Sequence, residues 1–259
     1  MFILYLAEHQ AQAQQLASTL GVEAFLLANT ERKTVLSWAK QGDLAILLAG
    51  QIALQPLTKP LPHAVAVDWA NKSLLWRLQH GGGRGELIAK ACGIKKDSIP
   101  TIIDATAGFG KDSLLLASLG CQITLLERSP LVAAMLADGW QRATQEPALA
   151  EILSRMKIYH SDAKSYLSQL CAEQYPDVVY LDPMFPDRGN TAKVKQDMQT
   201  FHVAVGADYD ADELLAPALA VAKKRVVVKR PRHAQALAQQ KPSLVYEGES
   251  SRFDVYLIA

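Results

Sequence analysis

Four runs in the second half of the chain each follow an apolar stretch, and each carries residues suited to holding a ligand. The first is Asp104-Ala105-Thr106-Ala107-Gly108-Phe109-Gly110-Lys111-Asp112. Gly108 and Gly110 let the backbone approach a ligand closely, and a helix beginning just after them turns its amino terminus towards it. This is not a G-x-x-x-x-G-K-[ST] phosphate loop, because Ala105 and Asp112 stand at two of its required positions. It is not a full G-x-G-x-x-G either, since Ser113 stands at the third glycine, and Asp112 would repel a pyrophosphate. A plain tight strand-to-helix turn is the alternative. The second run ends an apolar strand at Glu127, whose carboxylate can accept from both hydroxyls of a ribose; such an acid can also be a helix cap or a solvated group. The third, His160-Ser161-Asp162-Ala163, offers Asp162 to an exocyclic adenine amine, or equally as the N-cap of the next helix.

The fourth run is the most specific. Val178-Val179-Tyr180-Leu181 delivers Asp182-Pro183-Met184-Phe185-Pro186. Pro183 has no N–H and a fixed φ, which stiffens the turn. The Asp182 carboxylate and a nearby main-chain carbonyl can accept from an amino group, and Phe185 can stack on a planar base. The alternative is a structural Asp-Pro turn with a core Phe. Together the four runs describe a nucleoside site beside a site for a planar, amino-bearing acceptor.

These runs need strands that end side by side. From Ile99 the pattern alternates: strands at Thr101–Ala105, Gln122–Glu127, Met156–Tyr159, Asp177–Leu181 and Arg225–Lys229, with helices at Asp112–Leu119, Pro130–Thr144, Ala163–Gln174 and Asp212–Lys223. That alternation predicts a parallel sheet covered by helices on both faces. Ser243–Glu247 and Phe253–Ile258 read as an antiparallel closing pair. A polar loop is expected after the Asp-Pro turn. Residues 1–70 read as a small N-terminal α/β domain, with strands at Phe2–Leu6, Phe25–Leu27, Thr34–Trp38, Leu44–Ala49 and Ala64–Val67 and a helix at Glu8–Leu20. Residues 71–259 form the second domain.

Bulk properties narrow the class. Of 259 residues, 27 are Lys or Arg and 26 are Asp or Glu, so a histone-like binder is excluded while a local basic face is not. The three cysteines are widely spaced, which suits a reducing cytoplasm, and neither they nor the six histidines have metal-ligand spacing. No metal is expected. No apolar run approaches the roughly 20 residues that a membrane helix needs.

The four strand ends resemble those of class I S-adenosylmethionine-dependent methyltransferases. The Asp-Pro-x-aromatic turn resembles the subset that methylates exocyclic amines of bases, although Met184 stands where that subset more often has a second proline. Gly81-Gly82-Gly83-Arg84-Gly85-Glu86, Asp104 to Asp112, Leu126-Glu127-Arg128, Tyr180 to Pro186, Val226 to Pro231 and Arg252-Phe253-Asp254 look like the ribosomal RNA small subunit methyltransferase J family. The likeness runs from about Gly81 to the C-terminus. It implies a Rossmann-like fold with a mostly parallel seven-stranded sheet, S-adenosylmethionine as cofactor, and formation of N2-methylguanosine in 16S ribosomal RNA of the small subunit, in the cytoplasm. It places the cofactor on Lys111 with Asp112, Glu127 with Arg128, Asp162 with Ala163, and Asp182, beside the Asp104, Gly108 and Gly110 turn. Asp182, Pro183 and Phe185 become the catalytic set.

Charge is concentrated near the proposed chemistry. Lys229, Arg230 and Arg232 follow the fifth strand, Arg188, Lys193 and Lys195 follow the Asp-Pro turn, and Arg84 sits in the glycine loop. Such a rim can neutralise phosphates beside a target base; a solvated basic face is the alternative. An amino methyltransferase of adenine or of a protein amide stays open, as does a non-catalytic RNA-binding assembly protein. A nicotinamide dehydrogenase is disfavoured by the missing third glycine.

Overall fold

Two sheets organise the residues that the computed structural model describes, namely 1–184, 196–206, 208 and 210–258. Their strands in chain order are β1 (Phe2–Tyr5), β2 (Ala24–Leu26), β3 (Leu44–Leu48), β4 (Ile52–Pro56), β5 (Val65–Ala66), β6 (Thr101–Asp104), β7 (Gln122–Glu127), β8 (Met156–His160), β9 (Val178–Leu181), β10 (Arg225–Pro231), β11 (Leu244–Glu247) and β12 (Ser251–Leu257). The chain divides into two compact units. One comprises Met1–Asp68, Ser129–Gln141 and the described part of Asp187–Ala207; the other comprises Trp69–Arg128 and the described parts of Arg142–Pro186 and Asp208–Ala259.

The first unit holds the five-stranded sheet, in the order β2-β1-β3-β4-β5. Phe2, Leu4, Leu27, Val35, Ala45, Leu57 and Leu61 form its core. The strand expected at Thr34–Trp38 is instead a helix, Arg32–Leu36, running into a 3-10 turn at Ser37–Lys40. Val35, Trp38 and Ala39 all pack on the core, and that spacing is the period of a helix face. Strand β4 is an addition to the expected pattern; it returns antiparallel to β3 through Gly50, whose φ is +77°. Helix Pro130–Ala143 brings Asp138 to this unit, where its Oδ2 accepts the Ile52 N–H at 3.2 Å.

The second unit carries the seven-stranded sheet, in the order β11-β12-β10-β9-β6-β7-β8. Strands β6 to β10 run parallel, while β12 is antiparallel to both β10 and β11. The expected closing hairpin is therefore present. Parallel strands covered on both faces need continuous apolar runs, and Val178–Leu181 and Val226–Val228 are fully buried. On one face Ile103, Leu126, Val179, Leu181 and Val228 pack under Leu167, Leu215, Ala218 and Val221 from the helices Ala163–Ser168 and Leu215–Val221. Successive strand residues face opposite sides, so Tyr180 points away from that layer. Its hydroxyl reaches Asp112 on helix Lys111–Ser118, which covers the other face. Helix Lys72–His80 is a further addition. It buries no residue and starts at Asn71, whose side chain accepts the Leu74 N–H at 2.9 Å. The expected helix after β8 stops at Ser168, and the loop expected after the Asp-Pro turn contains helix Gln196–Val205.

Strand order reverses between β6 and β9, and ligands of open α/β sheets bind beyond the carboxyl ends at such a point. There Ala105 N–H donates to the Tyr180 carbonyl at 3.0 Å, joining the two strand ends.

Gly139 tests the packing of the first unit. A Cβ there would lie 2.4 Å from Val67 Cγ1 and 2.7 Å from the Val67 carbonyl oxygen, which cannot swing aside. Gly139→Ala is expected to cost about 1–3 kcal/mol, read as a lower urea midpoint at unchanged slope. An unchanged midpoint would show that the Val67 backbone yields freely.

Candidate active site at the carboxyl edge of the sheet

The glycine turn is held by carboxylates. Asp104, buried at the end of β6, accepts the Thr106 N–H at 3.1 Å through Oδ1 and the Ser113 hydroxyl at 2.6 Å through Oδ2. These bonds tie the turn to the first turn of helix Lys111–Ser118. Gly108 and Gly110 both have positive φ, +53° and +65°, which favours glycine. Gly108 N–H donates to Glu127 Oε2 at 2.9 Å, so the acid ending β7 also anchors the turn. Trp69, fully buried, donates its indole N–H to the Phe109 carbonyl at 2.9 Å. Lys111 is exposed at the helix start.

Asp112 points back into the crevice. Its Oδ2 accepts the Tyr180 hydroxyl at 2.7 Å and the Lys229 ammonium at 2.8 Å. The same ammonium donates to Asp182 Oδ2 at 2.9 Å. Lys229 therefore bridges the carboxylate that opens the helix after β6 and the one that ends β9. Burial pushes Asp112 upward, but the Lys229 ammonium and the Tyr180 hydroxyl outweigh it and hold the carboxyl below its ordinary range. Asp182 lies above its ordinary range, because burial and the neighbouring Asp112 charge exceed the pull of Lys229.

The Asp-Pro turn is fixed from two sides. Asp182 N–H donates to Thr106 Oγ1 at 2.6 Å. Met184 N–H donates to Asp208 Oδ2 at 2.7 Å, and Asp208 N–H returns to the Met184 carbonyl at 2.7 Å. A proline at position 184 would have no N–H for Asp208, which gives Met184 a structural reason. Arg128 grips Asp208 in turn, and reaches Asp210 at 2.8 Å. The Arg128 guanidinium, with Lys164 beside it, holds the Asp210 carboxyl at about 2. Arg128 thus links the end of β7 to the Asp-Pro turn.

Asp162 caps helix Ala163–Ser168, its Oδ1 accepting the Ser165 N–H at 2.9 Å, and Ala163 is buried at the first helical position. The strand ends so bring together Asp104, Gly108, Gly110, Asp112, Glu127, Arg128, Asp182 and Pro183 at one edge. Of the basic residues, Arg232 is exposed just beyond β10. Lys229 is neutralised by two carboxylates and Arg230 is buried, so neither is an open rim charge as expected. Arg84 lines a groove of about 430 Å³ with Ile99, Gly120 and Arg155. Those three precede β6, β7 and β8, which puts Arg84 at the amino edge, opposite the site. Phe185, Arg188, Lys193 and Lys195 lie outside the described residues. Sequence reasoning missed Thr106, Ser113, Tyr180 and Asp208. Tyr180 had a signal, since it shares a strand face with Asp182; Asp208 had none.

Among the described residues, no group of three His, Cys, Asp or Glu side chains could hold a metal ion, and no helix is long and apolar enough to cross a membrane. The donor set suits a nucleoside with a cationic tail: a glycine turn whose backbone can be approached closely, a carboxylate at the next strand end, and two more carboxylates facing an ammonium.

The family model for S-adenosylmethionine-dependent methyltransferases matches residues 23–258. A crystal structure of a SAM-dependent methyltransferase from Neisseria gonorrhoeae superposes with a TM-score of 0.71 at 34% identity, covering 98% of this chain and 95% of that one. The ribosomal RNA small subunit methyltransferase J of Pseudoalteromonas atlantica is 52% identical over 85% of this chain and 86% of its own. That of Tolumonas auensis is 47% identical over 97% and 95%. The chain belongs to the ribosomal RNA small subunit methyltransferase J family.

Asp104 generates a pH prediction. Burial raises its carboxyl from 3.8 to about 7, against the pull of Ser113 and Thr106. The folded state then binds a proton that the unfolded state releases, so this residue's contribution to stability falls as pH rises from 3.8 to about 7. Asp104→Asn keeps an acceptor for Thr106 and removes the titration. Its stability relative to the parent should rise by a few kcal/mol between about pH 4 and pH 7.5, because each tenfold change in proton affinity is worth about 1.4 kcal/mol. Urea melts at both pH values check this; a constant difference would contradict it.

Proposed function

We propose that the protein transfers the methyl group of S-adenosylmethionine to the exocyclic N2 of a guanosine in 16S ribosomal RNA of the small subunit. The observation that carries this reading is the Asp182-Pro183-Met184 turn, clamped at the switch point beside the cofactor-side carboxylates. The Met184 carbonyl is already taken by Asp208. Among the described residues, no donor reaches Asp182 Oδ1 or the Pro183 carbonyl, and these are the acceptors left for an amine. The names of the relatives, methyltransferases of small-subunit ribosomal RNA, supply the substrate class.

When bound, S-adenosylmethionine supplies a methyl group on a sulfonium, an electrophile that chiefly needs alignment. Glu127 would accept from the ribose diol, the Gly108–Gly110 turn would lie against the cofactor, and Asp112 would face its charged tail. The lone pair of guanine N2 is delocalised into the ring. Asp182 Oδ1 and the Pro183 carbonyl each accept one N–H of that amine, which turns the remaining lone pair towards the methyl group. Phe185 is the residue we assign to the base plane. Asp182 Oδ1 would take the proton that the methylated nitrogen releases. Positioning of this kind lowers barriers by about 7–11 kcal/mol in favourable cases. A paired guanine must first be flipped out, at a few kcal/mol. Arg232, with Arg188, Lys193 and Lys195, is assigned to neighbouring phosphates.

The test is methyl transfer from labelled S-adenosylmethionine to small ribosomal subunits lacking modification, followed by digestion to nucleosides and mass analysis. One N2-methylguanosine product is expected, lost in Asp182→Ala. Glu127→Ala should weaken cofactor binding about 10- to 100-fold, the loss of a charged hydrogen bond. Label in adenosine or in protein would overturn the assigned acceptor, and unchanged cofactor affinity would overturn the role of Glu127.

A further inference from the structure

Lys229, which the charge pattern of the sequence assigns to phosphate, faces carboxylates instead. Its ammonium lies between Asp112 Oδ2 at 2.8 Å and Asp182 Oδ2 at 2.9 Å. The sheet register explains why. Val227 pairs with Tyr180 and Val228 with Leu181, so Lys229 falls beside Asp182 and on the same face. Tyr180, two residues before Asp182 on that face, fixes Asp112 from below. The ammonium is thus anchored at one end by a carboxylate that the Tyr180 hydroxyl also holds, and its other contact takes one oxygen of Asp182. The Asp182 side chain is the more open of the pair, 38% exposed against 26% for Asp112.

We propose that Lys229 is a positioning residue for methyl transfer: anchored on Asp112, it binds Asp182 Oδ2, keeps that carboxylate ionised, and leaves Oδ1 turned to the acceptor amine. The inference rests on the reading of Asp182 as the amine acceptor. Its physical basis is like-charge crowding. Two carboxylates sharing one site cannot both stay ionised cheaply without a cation between them. The groups acting on Asp182 are Lys229 from β10, Asp112 from helix Lys111–Ser118, and Asp208 from the segment after helix Gln196–Val205. Asp104 from β6 also faces it, Tyr180 acts through Asp112, and Arg77 faces Asp112 from helix Lys72–His80. Of these, only Lys229 is a cation in direct contact with Asp182 among the described residues.

The sign follows from the charges. Without the ammonium, Asp182 keeps its burial and the Asp112 charge, so its carboxyl rises and is protonated over a wider range. A protonated Asp182 has lost one acceptor and cannot take a proton. Lys229→Met should therefore move the acid limb of the kcat/KM profile for transfer to unmodified small subunits upward by about one pH unit or more. This appears as about tenfold lower kcat/KM on the acid side of the limb, recovered as pH rises. Lys229→Arg, which keeps the charge, should leave the limb near that of the parent.

Asp112→Asn provides an opposite arm that does not depend on the folding of the Met variant. It removes the competing anion and leaves the ammonium to Asp182, so the limb should move to lower pH. Opposite displacements in Lys229→Met and Asp112→Asn would establish the role. A loss in Lys229→Met that is uniform across pH, or displacement of the limb in the same direction in both variants, would overturn it and leave Lys229 as a structural ion pair. The two readings fail separately. The identity of the methylated nucleoside and the activity of Asp182→Ala in the parent background test Asp182, whereas the displacement of the limb tests Lys229.

Discussion

Three carboxylates meet at the carboxyl edge of one sheet, and the rest of the site is arranged around keeping them there. Asp104 ends β6, Asp112 opens the following helix and Asp182 ends β9. In a partly buried crevice their mutual repulsion adds to the loss of hydration. Asp104 accepts from two donors, yet burial outweighs them and lifts it towards its neutral form. Asp112 and Asp182 share the Lys229 ammonium. That sharing depends on the register of β9 against β10, since a slip of one residue would turn Lys229 to the opposite face. The fully buried valines of both strands hold the register. Packing energy in the sheet is thereby converted into the placement of one charge.

A second constraint acts on the Asp-Pro turn. Its main-chain groups must be satisfied or left open deliberately, because an unpaired buried amide costs about 1–3 kcal/mol. Thr106 takes the Asp182 N–H, and Asp208 takes both groups of Met184. Arg128 holds Asp208, so the strand end that carries Glu127 also braces the turn across the crevice. The glycine-turn side and the Asp-Pro turn are therefore joined twice, through Lys229 and through Arg128.

Much of this is legible in the chain. Alternating strands and helices after Ile99, the Gly108–Gly110 turn, Glu127 and Asp182 can be read because parallel strands are long apolar runs and their ends are abrupt. The helix that replaces the strand expected at Thr34–Trp38 shows the limit: a short mixed run fits either period, and only the core beneath Val35 and Trp38 decides. Asp162 shows another limit. Cofactor contact and N-cap ask for the same side chain at the same place, and the structure shows the cap being made. Asp208 cannot be read at all. It reaches Met184 from 24 positions away, and nothing local marks it.

The basic run from Lys223 to Arg232 shows why charge read along a sequence misleads. In a loop these residues would form one positive rim. In β10 they are sorted by the pleat and by burial. Lys229 turns into the crevice and is neutralised by two carboxylates, while Arg230 turns to the opposite face and is buried. Arg232, past the sheet, is exposed. Each phosphate contact contributes to nucleic-acid affinity additively and without regard to base. Withdrawing two cations from the rim therefore lowers the part of the affinity that any RNA would share. It does not touch the part that, on the proposed function, depends on fitting an amine between Asp182 and Pro183. On the proposed function, the same pleat that costs the protein general affinity assembles the contacts that can tell one base from another.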